Sequence, residues 1–599
     1  MLADESSAAP PTLDSLLREG ARLADGGVAI SADGRTGLSH RALGEFVEST
    51  GETLRQLGLG REDRVAVALP GGASAATALL AIAANCACAP LDPRGRIDAF
   101  EADLADFGAC ALVVEAGAAT PAREAARRRG IAVVELESPA GAPAGIFELH
   151  GVRRTTATSR SAVPSDLALL LRTSGTTARP KLVPLTHANL CASAMNVAAA
   201  LRLVPADVGL VVMPLFHIHG IVAGLLAPVA TGSCAHCTPG FAAAEFFGWL
   251  DTSQATWYSA VPTMHAAVVS RAPAAREAVA RSRLRFVRSS SSPLPPATLA
   301  ALEALFDAPV IEAYGMTEAA HQVASNPLPP GRRRPGSVGP PAGPDVAIVD
   351  AGGRHLARGE TGEVVIRGPN VTSGYLDAPT ENAASFADGW FRTGDEGYFD
   401  DDGYLVLSGR LKEMINRGGE KVVPREIDDA LAAHPAVAQA LAFAVPHPTL
   451  GEDVAAAVVL KPGSPANEPE LRAFLFERLA DFKVPSEILL VDAIPGSASG
   501  KPSRLGIAET LQAQRVRPPV APADATETAL ASMAAAILGR DKVGANDNFF
   551  ALGGDSLKGM ELVMQVQAMF GVDLGTAAIF RYPSVRELAA ALRARGGSA

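Results

Sequence analysis

Short apolar runs alternate with helical patterns over most of the chain, from Asp14 to about Ser408. A helical pattern such as the one at 42–57 falls between some of these runs. Examples of the strand-like runs are 65–69, 111–114, 209–213 and 364–366. This alternation is typical of an α/β architecture. Because the chain has 599 residues, which is too many for one hydrophobic core, we also expect several domains.

The last third of the chain has a different pattern. Residues 409–507 indicate a small α+β domain, with strands expected at 440–445 and 454–460 and a helix at 470–479. A stretch rich in Pro, Ala and Val at 516–523 is typical of a linker. Apolar residues at helical spacing then follow over 527–594, which predicts an all-helical block.

Composition and charge narrow the class of function. The chain is 48% hydrophobic and 20% charged, and its net charge of -11 argues against a dedicated nucleic-acid binder. The first residues are acidic and are broken by Pro10 and Pro11, which is not typical of a signal peptide. The apolar stretch 73–91 contains Asn85 and Pro90 and predicts a buried helix entering a loop rather than a membrane span. We therefore expect a cytoplasmic protein with reduced cysteines and with neither nucleic acid nor membrane as a partner.

One loop, at 171–181, is dense in hydroxyl groups and ends in Lys181. Hydroxyls and loop N–H groups suit phosphate oxygens, and a lysine adds a positive charge. The loop is not a Walker A motif, because the Gly-Lys-Ser/Thr ending is absent. Taken alone, a loop rich in Ser and Thr is more often an ordinary turn.

The loop resembles the TSGTTGxPK signature of the adenylate-forming superfamily, which comprises acyl-CoA synthetases, peptide-synthetase adenylation domains and luciferases. Ala178 stands where that signature has its second glycine, and its Cβ limits positive φ. Further segments resemble later signatures in the family's order, and they lie at 314–318, 393–395, 409–413 and 495–501. The resemblance covers about Asp14 to Leu505 and implies ATP and Mg²⁺ as cofactors.

The resemblance also implies roles for particular residues of these segments. The ring of Tyr314 would stack on adenine, Asp395 would accept hydrogen bonds from both ribose hydroxyls, and Arg410 would contact ribose. The complete set of nucleotide-binding residues would be Thr173, Ser174, Gly175, Thr176, Thr177, Lys181, Tyr314, Thr317, Asp395 and Arg410.

These segments predict activation of a carboxylic acid. Attack of a carboxylate on the α-phosphate of ATP gives an acyl-adenylate, which has AMP as a good leaving group. Both reactants are anionic, so Mg²⁺ held through Glu318 and the ammonium of the catalytic Lys501 would neutralise the developing charge. A thiol would then attack the adenylate, after the small domain swings about a hinge at Lys412. Lys501 would leave the site, and the face at 418–419 would help form the entry channel of the thiol.

The segment 552–557, Leu-Gly-Gly-Asp-Ser-Leu, resembles the attachment site of peptide-synthetase carrier domains. The resemblance implies that a separate phosphopantetheinyl transferase links 4'-phosphopantetheine to Ser556. Asp and Ser are also favoured helix caps, so the motif alone would indicate only a helix start. Its position after a linker and behind an adenylating region favours the carrier interpretation. Two modules on a flexible linker meet at roughly millimolar effective concentration, so the arm thiol should compete well with free CoA.

We therefore predict a multidomain protein with a large α/β N-terminal domain, a small α+β mobile C-terminal domain and an all-α four-helix carrier domain. The predicted bounds are 1–408 for the adenylation core, 409–508 for the mobile subdomain, 509–525 for the linker and 526–599 for the carrier. The sequence shows no condensation, reductase or thioesterase region, so the acyl group would pass to a downstream enzyme of a secondary-metabolite pathway.

The residues after Met213 bear on the identity of the acid. In amino-acid-activating relatives this segment carries an Asp that pairs with the α-ammonium, and His217 stands at that position here. An α-amino acid would therefore bring an unpaired charge into the pocket, which is costly. Other segments look most like oxalyl-CoA synthetases, which handle small, polar acids, and they lie at 256–263, 286–290 and 318–326.

We therefore expect a small carboxylic acid without an α-amino group, such as a small polar or dicarboxylic acid. His217 is assigned both a catalytic and a substrate-binding role. A second carboxylate or a hydroxyl of the acid would bond to His217, His219, Ser290 and His321. His219 and Arg288 are equally compatible with a structural role, in which they pack under a strand or bond to backbone carbonyls.

Three alternatives remain from the sequence. The first is a free-standing acyl-CoA ligase with a degenerate or regulatory carrier block. The second is an amino-acid-loading module of a peptide synthetase with an unusual pocket. The third is a non-catalytic nucleotide-binding scaffold, against which the retained residues Glu318, Asp395, Arg410 and Lys501 argue.

Overall fold

The computed structural model describes residues 12–151, 157, 160–173, 181–447, 450–495, 504, 506–511, 520–550, 552–554, 556–575 and 578–596. These residues form two compact units, which divide between Leu407 and Ser408. The bounds of the four predicted segments stay predictions. Among the residues described, no helix combines the length and the apolar character that a bilayer crossing requires.

The chain alternates strands and helices up to the division between the units. The first twenty strands, β1 to β20 in chain order, are Val28–Ser31, Leu38–Ser39, Arg64–Val67, Ala87–Pro90, Ala111–Glu115, Ala132–Glu137, Glu148–Gly151, Leu167–Arg172, Leu182–Thr186, Val208–Val211, Cys234–Cys237, Trp257–Ala260, Phe286–Ser289, Val310–Met316, His321–Ser325, Asp345–Val349, Gly362–Arg367, Phe386–Ala387, Trp390–Phe399 and Leu405–Arg410. The four strands expected from apolar runs correspond to β3, β5, β10 and β17.

The helices of the first unit follow the same alternation. In chain order, α1 to α12 are Leu13–Leu23, His40–Gln56, Ala73–Asn85, Ile97–Asp106, Pro121–Arg128, His187–Ala200, Ala227–Ala230, Phe246–Ser253, Pro262–Arg271, Arg276–Ala280, Pro296–Phe306 and Pro379–Ser385. A π-helical segment occupies His219–Leu226, and 3₁₀ turns occupy Ala272–Ala274 and Thr317–Ala319.

Two mixed but largely parallel sheets dominate this unit. One has the strand order β15-β14-β13-β12-β10-β11-β1-β2, and only its edge strands β15 and β2 run antiparallel to their neighbours. The other has the order β7-β6-β5-β3-β4-β8-β9, with antiparallel edge strands β7 and β9. The predicted α/β architecture is therefore confirmed.

Helix α3 lies between these sheets, since it contacts β8 of one and β11 of the other. It is apolar on all faces and rich in alanine, which allows close approach of strands on both sides. The sequence correctly predicted this buried helix, but the loop expected after it is wrong. Ala87–Pro90 instead form β4, whose four residues are all buried and which pairs with β3 and β8. A run so short and so apolar gives no periodicity that separates a strand from a loop.

A third, antiparallel sheet completes the first unit. Its strand order is β16-β17-β19-β18, and β20 pairs with β19. Strand β19, Trp390–Phe399, carries the predicted ribose ligand Asp395.

The second unit begins with an α+β part, which we call the small subdomain. Its strands β21 to β25 are Ile415–Arg417, Glu420–Val422, Val437–His447, Gly451–Leu460 and Glu487–Leu490. Its helices α13 to α15 are Pro424–Ala432, Glu468–Phe476 and Ile507–Thr510, with 3₁₀ turns at Leu411–Glu413 and Asp481–Lys483. The sheet order is β22-β21-β24-β23, and β25 pairs with β24 in parallel. The α+β prediction is confirmed.

The described residues in the C-terminal part of the second unit form four helices, as predicted, and we call this part the carrier domain. Helices α16 to α19 are Ala525–Leu538, Ser556–Phe570, Ala578–Arg581 and Val585–Ala594. Buried apolar residues of these helices and of the loop before α17 form one core, which includes Phe549, Phe550, Val566 and Leu588. The side chains of Asp524 and Ser584 cap α16 and α19, so each of these helices begins where a favoured N-cap residue stands.

Candidate active site

The two ends of the hydroxyl-rich loop are held together. The loop joins the antiparallel strands β8 and β9. The Thr173 N–H donates to the Lys181 carbonyl at 2.9 Å, and the Lys181 N–H donates to Thr173 Oγ1 at 3.2 Å. Of the predicted phosphate-binding residues in between, Ser174, Gly175, Thr176 and Thr177 lie outside the described residues.

Lys181 lies close to a tyrosine that bonds to Glu318, the predicted magnesium ligand. Its Nζ lies 4.2 Å from the ring centroid of Tyr375, which is a cation–π distance. The Tyr375 hydroxyl donates to Glu318 Oε1 at 2.9 Å. Glu318 is 8% exposed and lies in the 3₁₀ turn that begins at Thr317. Sequence reasoning missed Tyr375, because its position at the end of a loop carries no pattern that indicates the contact.

Glu318 offers a carboxylate, the kind of ligand that a magnesium ion takes. Mg²⁺ prefers oxygen ligands, and it is often held by one or two carboxylates together with substrate phosphates. Among the described residues there is no cluster of three or more His, Cys, Asp or Glu side chains that could hold a metal. Glu318 would hold the ion together with nucleotide phosphates.

The predicted adenine and ribose residues also meet. Tyr314 on β14 donates a hydrogen bond through its hydroxyl to Asp395 Oδ2 on β19, although the two residues stand far apart in sequence. Asp395 is 5% exposed, and its backbone N–H bonds to Thr393 Oγ1 at 3.0 Å. The two predicted nucleotide-binding motifs are therefore joined by a buried bond that links two different sheets.

The β14–β15 hairpin connects these residues with the predicted acid pocket. It carries Tyr314 and Glu318 at one end and His321 after its turn. Gly315 cannot be replaced here without rearrangement, since a Cβ would lie 1.8 Å from the His321 carbonyl oxygen. His321 itself has a φ of 99°, which is a strained conformation for a residue with a side chain.

Two of the predicted acid-binding histidines stack on each other. The rings of His219 and His321 lie 4.8 Å apart with an interplanar angle of 16°. His219 is the first residue of the π-helical segment, a distortion that is frequent at functional sites. Its Nε2 lies 2.6 Å from Ser259 Oγ, and its Nδ1 lies 3.1 Å from Ser291 Oγ.

A fully buried arginine adjoins this pair. Arg288 on β13 donates from Nη1 to Ser259 Oγ at 3.1 Å and from Nη2 to Gln322 Oε1 at 2.9 Å, and Nη1 lies 3.5 Å from His219 Nε2. Among the described residues it forms no ion pair, and its Nε–H has no acceptor. Burial lowers the pKa of Arg288 to about 9, since desolvation disfavours the charged form.

Bonds to backbone carbonyls, one of the two structural interpretations offered for Arg288, do not account for these contacts. Its guanidinium bonds to the polar side chains of Ser259 and Gln322 rather than to backbone carbonyls. The apolar strand Phe286–Ser289 is buried at all four positions, and an arginine in such a strand is the signal that marks it in the sequence. An unpaired charge in such a place is costly unless an anion completes it.

The other two predicted acid-binding residues are less closely connected to this cluster. Ser290 directly follows β13 and is fully buried, and its Oγ has no hydrogen-bond partner among the described residues. His217 lies in the turn after β10, where its ring packs against Phe216 at 4.6 Å. Both follow the carboxyl ends of parallel strands, the edge at which open α/β sheets bind ligands.

The predicted hinge lies close to the division between the units. Lys412 is exposed and lies in the 3₁₀ turn that follows β20, and Arg410 ends that strand. Lys501 lies outside the described residues. Arg504, three residues later, is anchored in the small subdomain, since its guanidinium bonds to Glu413 at 3.0 Å and to Asp428 at 2.5 Å.

The backbone shape and packing of the loop before Ser556 explain why the predicted attachment motif contains glycines. Gly553 has a φ of 95°, and a Cβ on Gly554 would lie 2.3 Å from the ring of Phe549. Ser556 is the first residue of α17. The glycines therefore let the loop pack on the aromatic core and place Ser556 at the start of the helix.

Three family models match separate parts of the chain. The model for the AMP-binding enzyme matches residues 17–376, and the model for the AMP-binding enzyme C-terminal domain matches residues 426–501. The model for the phosphopantetheine attachment site matches residues 528–592.

Relatives with stated activities cover most of the chain. The oxalate–CoA ligase of Arabidopsis thaliana is 41% identical over 506 residues, which are 83% of this chain and 98% of the relative. The sulfoacetate–CoA ligase of Cupriavidus necator is 36% identical over 494 residues, which are 80% of this chain and 93% of the relative. Among solved structures, ATP-bound MatB from Rhodopseudomonas palustris matches with a TM-score of 0.73 and 28% identity, over 83% of this chain and 99% of that one.

Proposed function

The chain belongs to the AMP-binding enzymes, and from that premise we propose that it activates a small acid with a second negative group and transfers it to an arm on Ser556. The chain is an ATP-dependent acid–thiol ligase with a phosphopantetheine attachment domain. What the proposal adds is the class of acid and the identity of the acceptor.

In the first step, an oxygen of the acid carboxylate bonds to the α-phosphorus of ATP while the bond to pyrophosphate breaks. Lys181 and Lys501 would supply positive charge to the phosphates, and Glu318 would hold Mg²⁺, which lowers the charge on the phosphate oxygens. Asp395, fixed by the Tyr314 hydroxyl, would accept hydrogen bonds from the ribose. Hydrogen bonds from Tyr314 to Asp395 and from Tyr375 to Glu318 already hold these two carboxylates, so they need little reorganisation during the reaction.

In the second step, a thiol sulfur bonds to the acyl carbon, AMP leaves with the electron pair of the broken C–O bond, and the thiol proton is released. The phosphopantetheine arm supplies that thiol. We propose that Lys412 rotates the small subdomain between the two steps. Because Arg504 is tied to Glu413, directly after Lys412, the segment after Lys501 would turn together with the small subdomain.

The buried Arg288 is the observation that favours an acid with a second anionic group. Its guanidinium is desolvated and has only neutral side-chain partners among the described residues. A carboxylate or sulfonate on the substrate would supply the missing charge, with His219 and His321 close by as further donors. The names of two relatives agree, since oxalate and sulfoacetate both carry a second anionic group.

An exchange experiment tests this class of acid. Purified protein with Mg²⁺ and ATP should exchange labelled pyrophosphate in the presence of small dicarboxylic or sulfonated acids, and should do so far more slowly with amino acids or unsubstituted fatty acids. If an α-amino acid gave the fastest exchange, the proposal would be wrong and the chain would be an amino-acid-loading module.

Arg288→Met should weaken use of the doubly charged acid. Loss of a charged hydrogen bond costs about 1.5–3 kcal/mol, so kcat/KM for that acid should fall about ten- to a hundredfold. For a singly charged acid of the same length, kcat/KM should change little, because its tail needs no cation. Exchange kinetics with both acids measure the ratio.

Arg285→Met is the matched control for Arg288. Arg285 lies just before the same strand but pairs with Asp207 at 2.7 Å, so its loss leaves a buried carboxylate and should lower stability. It should not change the preference between the two acids. If kcat/KM fell equally for both acids in Arg288→Met and the melting temperature also fell, Arg288 would have only a structural role.

Lys412→Pro should slow thiol transfer about tenfold while adenylation continues. The proline ring fixes φ at about −65° and so restricts the backbone rotation that a hinge requires. Lys412→Ala keeps that freedom and serves as the control. Single-turnover formation of the adenylate and of the thioester separates the steps, and equal slowing of both in the proline variant would count against the hinge.

A second candidate acceptor is free CoA, which the relatives favour because they are named as CoA ligases. The two acceptors differ in a single observable. Mass analysis of protein produced together with a phosphopantetheinyl transferase should show the arm and then the acyl group on the carrier. A carrier that never gains the arm would make the chain a CoA ligase. A loaded arm, in contrast, calls for a downstream enzyme that accepts the acyl group.

A further inference from the structure

The carrier domain packs against the small subdomain through contacts that the two-step reaction leaves unexplained. Both belong to the second unit. Three places on the small subdomain take part, namely the end of β23, the helix α14 and the residue before β25. They contact the loop before Ser556, the short helix α18 and the first turn of α19.

The first contact holds the loop that leads to Ser556. His447 at the end of β23 has its Nε2 at 3.2 Å from the Phe550 carbonyl and at 3.0 Å from the Gly554 carbonyl. Its Nδ1 accepts from the Leu450 N–H at 3.2 Å, so the proton of the neutral ring lies on Nε2, which donates to the loop. His447 is 7% exposed. One imidazole therefore holds both ends of the turn that precedes the attachment serine.

The second contact lies beside the first. Asn548 Nδ2 donates to the Ser486 carbonyl at 2.5 Å, and Asn548 Oδ1 accepts from the Phe550 N–H at 3.0 Å. The Asn548 side chain thus bonds to the backbone of its own loop and to the small subdomain. The shape of the loop and its attachment to the small subdomain depend on the same residue.

The third contact is electrostatic. Arg472 on α14 is 1% exposed, and its Nη1 lies 3.8 Å from Glu587 Oε1 on α19. The other oxygen of Glu587 caps the start of α19 by accepting from Ser584. On the same face, the guanidinium of Arg581 lies 5.8 Å from the ring centroid of Phe476.

Among the described residues, one face of helix α17 lies outside these contacts. Leu557, Met560, Met564 and Met569 on this helix are 73%, 39%, 68% and 61% exposed. The small subdomain therefore holds the carrier domain by the loop before Ser556 and by α18 and α19. The helix that begins at Ser556 keeps its apolar outer face outside the contact.

From this arrangement we infer that the small subdomain carries the carrier domain as one body, so that the rotation about Lys412 also delivers the arm to the adenylate. This rests on the proposed function. A docked carrier needs no diffusional search on its linker, so its arm meets the adenylate more often than a flexibly tethered arm does. Self-loading would then depend on contacts that neither adenylation nor transfer to a free thiol requires.

Distance measurement by double electron–electron resonance tests the docking in the full-length, arm-bearing chain. Spin labels at Lys461→Cys in the small subdomain and Ser532→Cys in α16 use two exposed positions outside the contact. Cys110 is the one partly buried native cysteine and would be replaced by serine, since the other five are buried. We expect one narrow distance distribution, with or without ATP and acid. A broad distribution in this protein would overturn the inference.

Substitutions in the contact link the docking to activity. His447→Ala combined with Asn548→Ala should broaden the distribution and slow self-loading about tenfold. Pyrophosphate exchange and transfer to free CoA should stay unchanged. His434→Ala is the matched control, since this histidine of the small subdomain accepts from the Ala436 N–H and packs on Phe474 of α14, and among the described residues it makes no contact with the carrier domain. In a chain that keeps Asn548, His447→Gln should give the narrow distribution, because the glutamine amide can still donate to the loop.

Two results would contradict the delivery role. The first is a narrow distribution that persists in the double variant, and the second is a broadened distribution with unchanged self-loading. If the unsubstituted protein showed no pyrophosphate exchange with any acid, the proposed function would be refuted. The distance measurement would still be valid. The two failures are therefore distinguishable.

Discussion

Replacement of Lys501 by alanine is expected to lower the rate of ATP–pyrophosphate exchange by about a hundred- to a thousandfold, since one preorganised cationic contact to a developing charge contributes that much. The acid and the α-phosphate both carry negative charge, so the barrier rises when a cation is removed from their meeting point. The fold should persist, because a lysine that acts on a substrate contributes little to packing. Exchange rates and melting temperatures of the variant measure the two effects separately.

Lys461→Ala provides the control for this loss. Lys461 lies in the same small subdomain, and its ammonium donates to the Pro435 carbonyl at the surface at 2.7 Å. Its removal should leave exchange unchanged. A normal exchange rate in Lys501→Ala would refute the assignment of the lysine, whereas a large loss in both variants would show that the small subdomain had been damaged.

Ser556→Ala is expected to abolish both attachment of the arm and self-loading, since alanine has no hydroxyl to receive phosphopantetheine. Pyrophosphate exchange should remain at the rate of the unsubstituted protein, because Ser556 takes no part in adenylation. Alanine favours helix and stands here at the first position of α17, so the carrier domain should still fold. Intact-mass measurement after co-expression with a phosphopantetheinyl transferase gives the result directly.

Ser532→Ala is the corresponding control. Ser532 lies on the preceding helix α16, where its hydroxyl donates to the Thr528 carbonyl at 2.9 Å. This variant should carry the arm and load acid normally. If Ser556→Ala still gained the mass of the arm, the attachment site would lie elsewhere in the carrier domain.

Much of the fold follows from sequence patterns that act locally. The alternation of apolar runs and amphipathic helices predicted an α/β domain, and favoured caps such as Ser584 mark where helices begin. Strand β4 was missed, because four small buried residues carry no period. The short helix α18 was included only in the expected total of four, since its four residues are too few for a helical period to be visible.

The active site was predictable where a motif carried it. Tyr314, Glu318 and Asp395 came from family signatures, and in the structure Tyr314 bonds to Asp395 while Glu318 bonds to Tyr375. The contact between Tyr375 and Glu318 was not predictable, because Tyr375 lies in none of the recognised motifs. The proposed role of Arg288 was also not predictable, because it depends on the neutral side chains that bond to it from β12 and β15.

The contact between the carrier domain and the small subdomain lay furthest from sequence reasoning. His447 and Gly554 are separated by about a hundred residues and belong to different folding patterns, so no local period relates them. The glycine itself was recognised as part of an attachment motif. The structure adds the reason why this position requires glycine, since the ring of Phe549 packs against it.

The most direct test of the account is the mass of the carrier after reaction. Arm-bearing protein incubated with Mg²⁺, ATP and small dicarboxylic or sulfonated acids should release pyrophosphate and gain the mass of one acyl group at Ser556. The gain should disappear when ATP is omitted. If no acid of the panel yields pyrophosphate or added mass, the central claim, that this chain activates a small anionic acid and loads it on its own carrier domain, is contradicted.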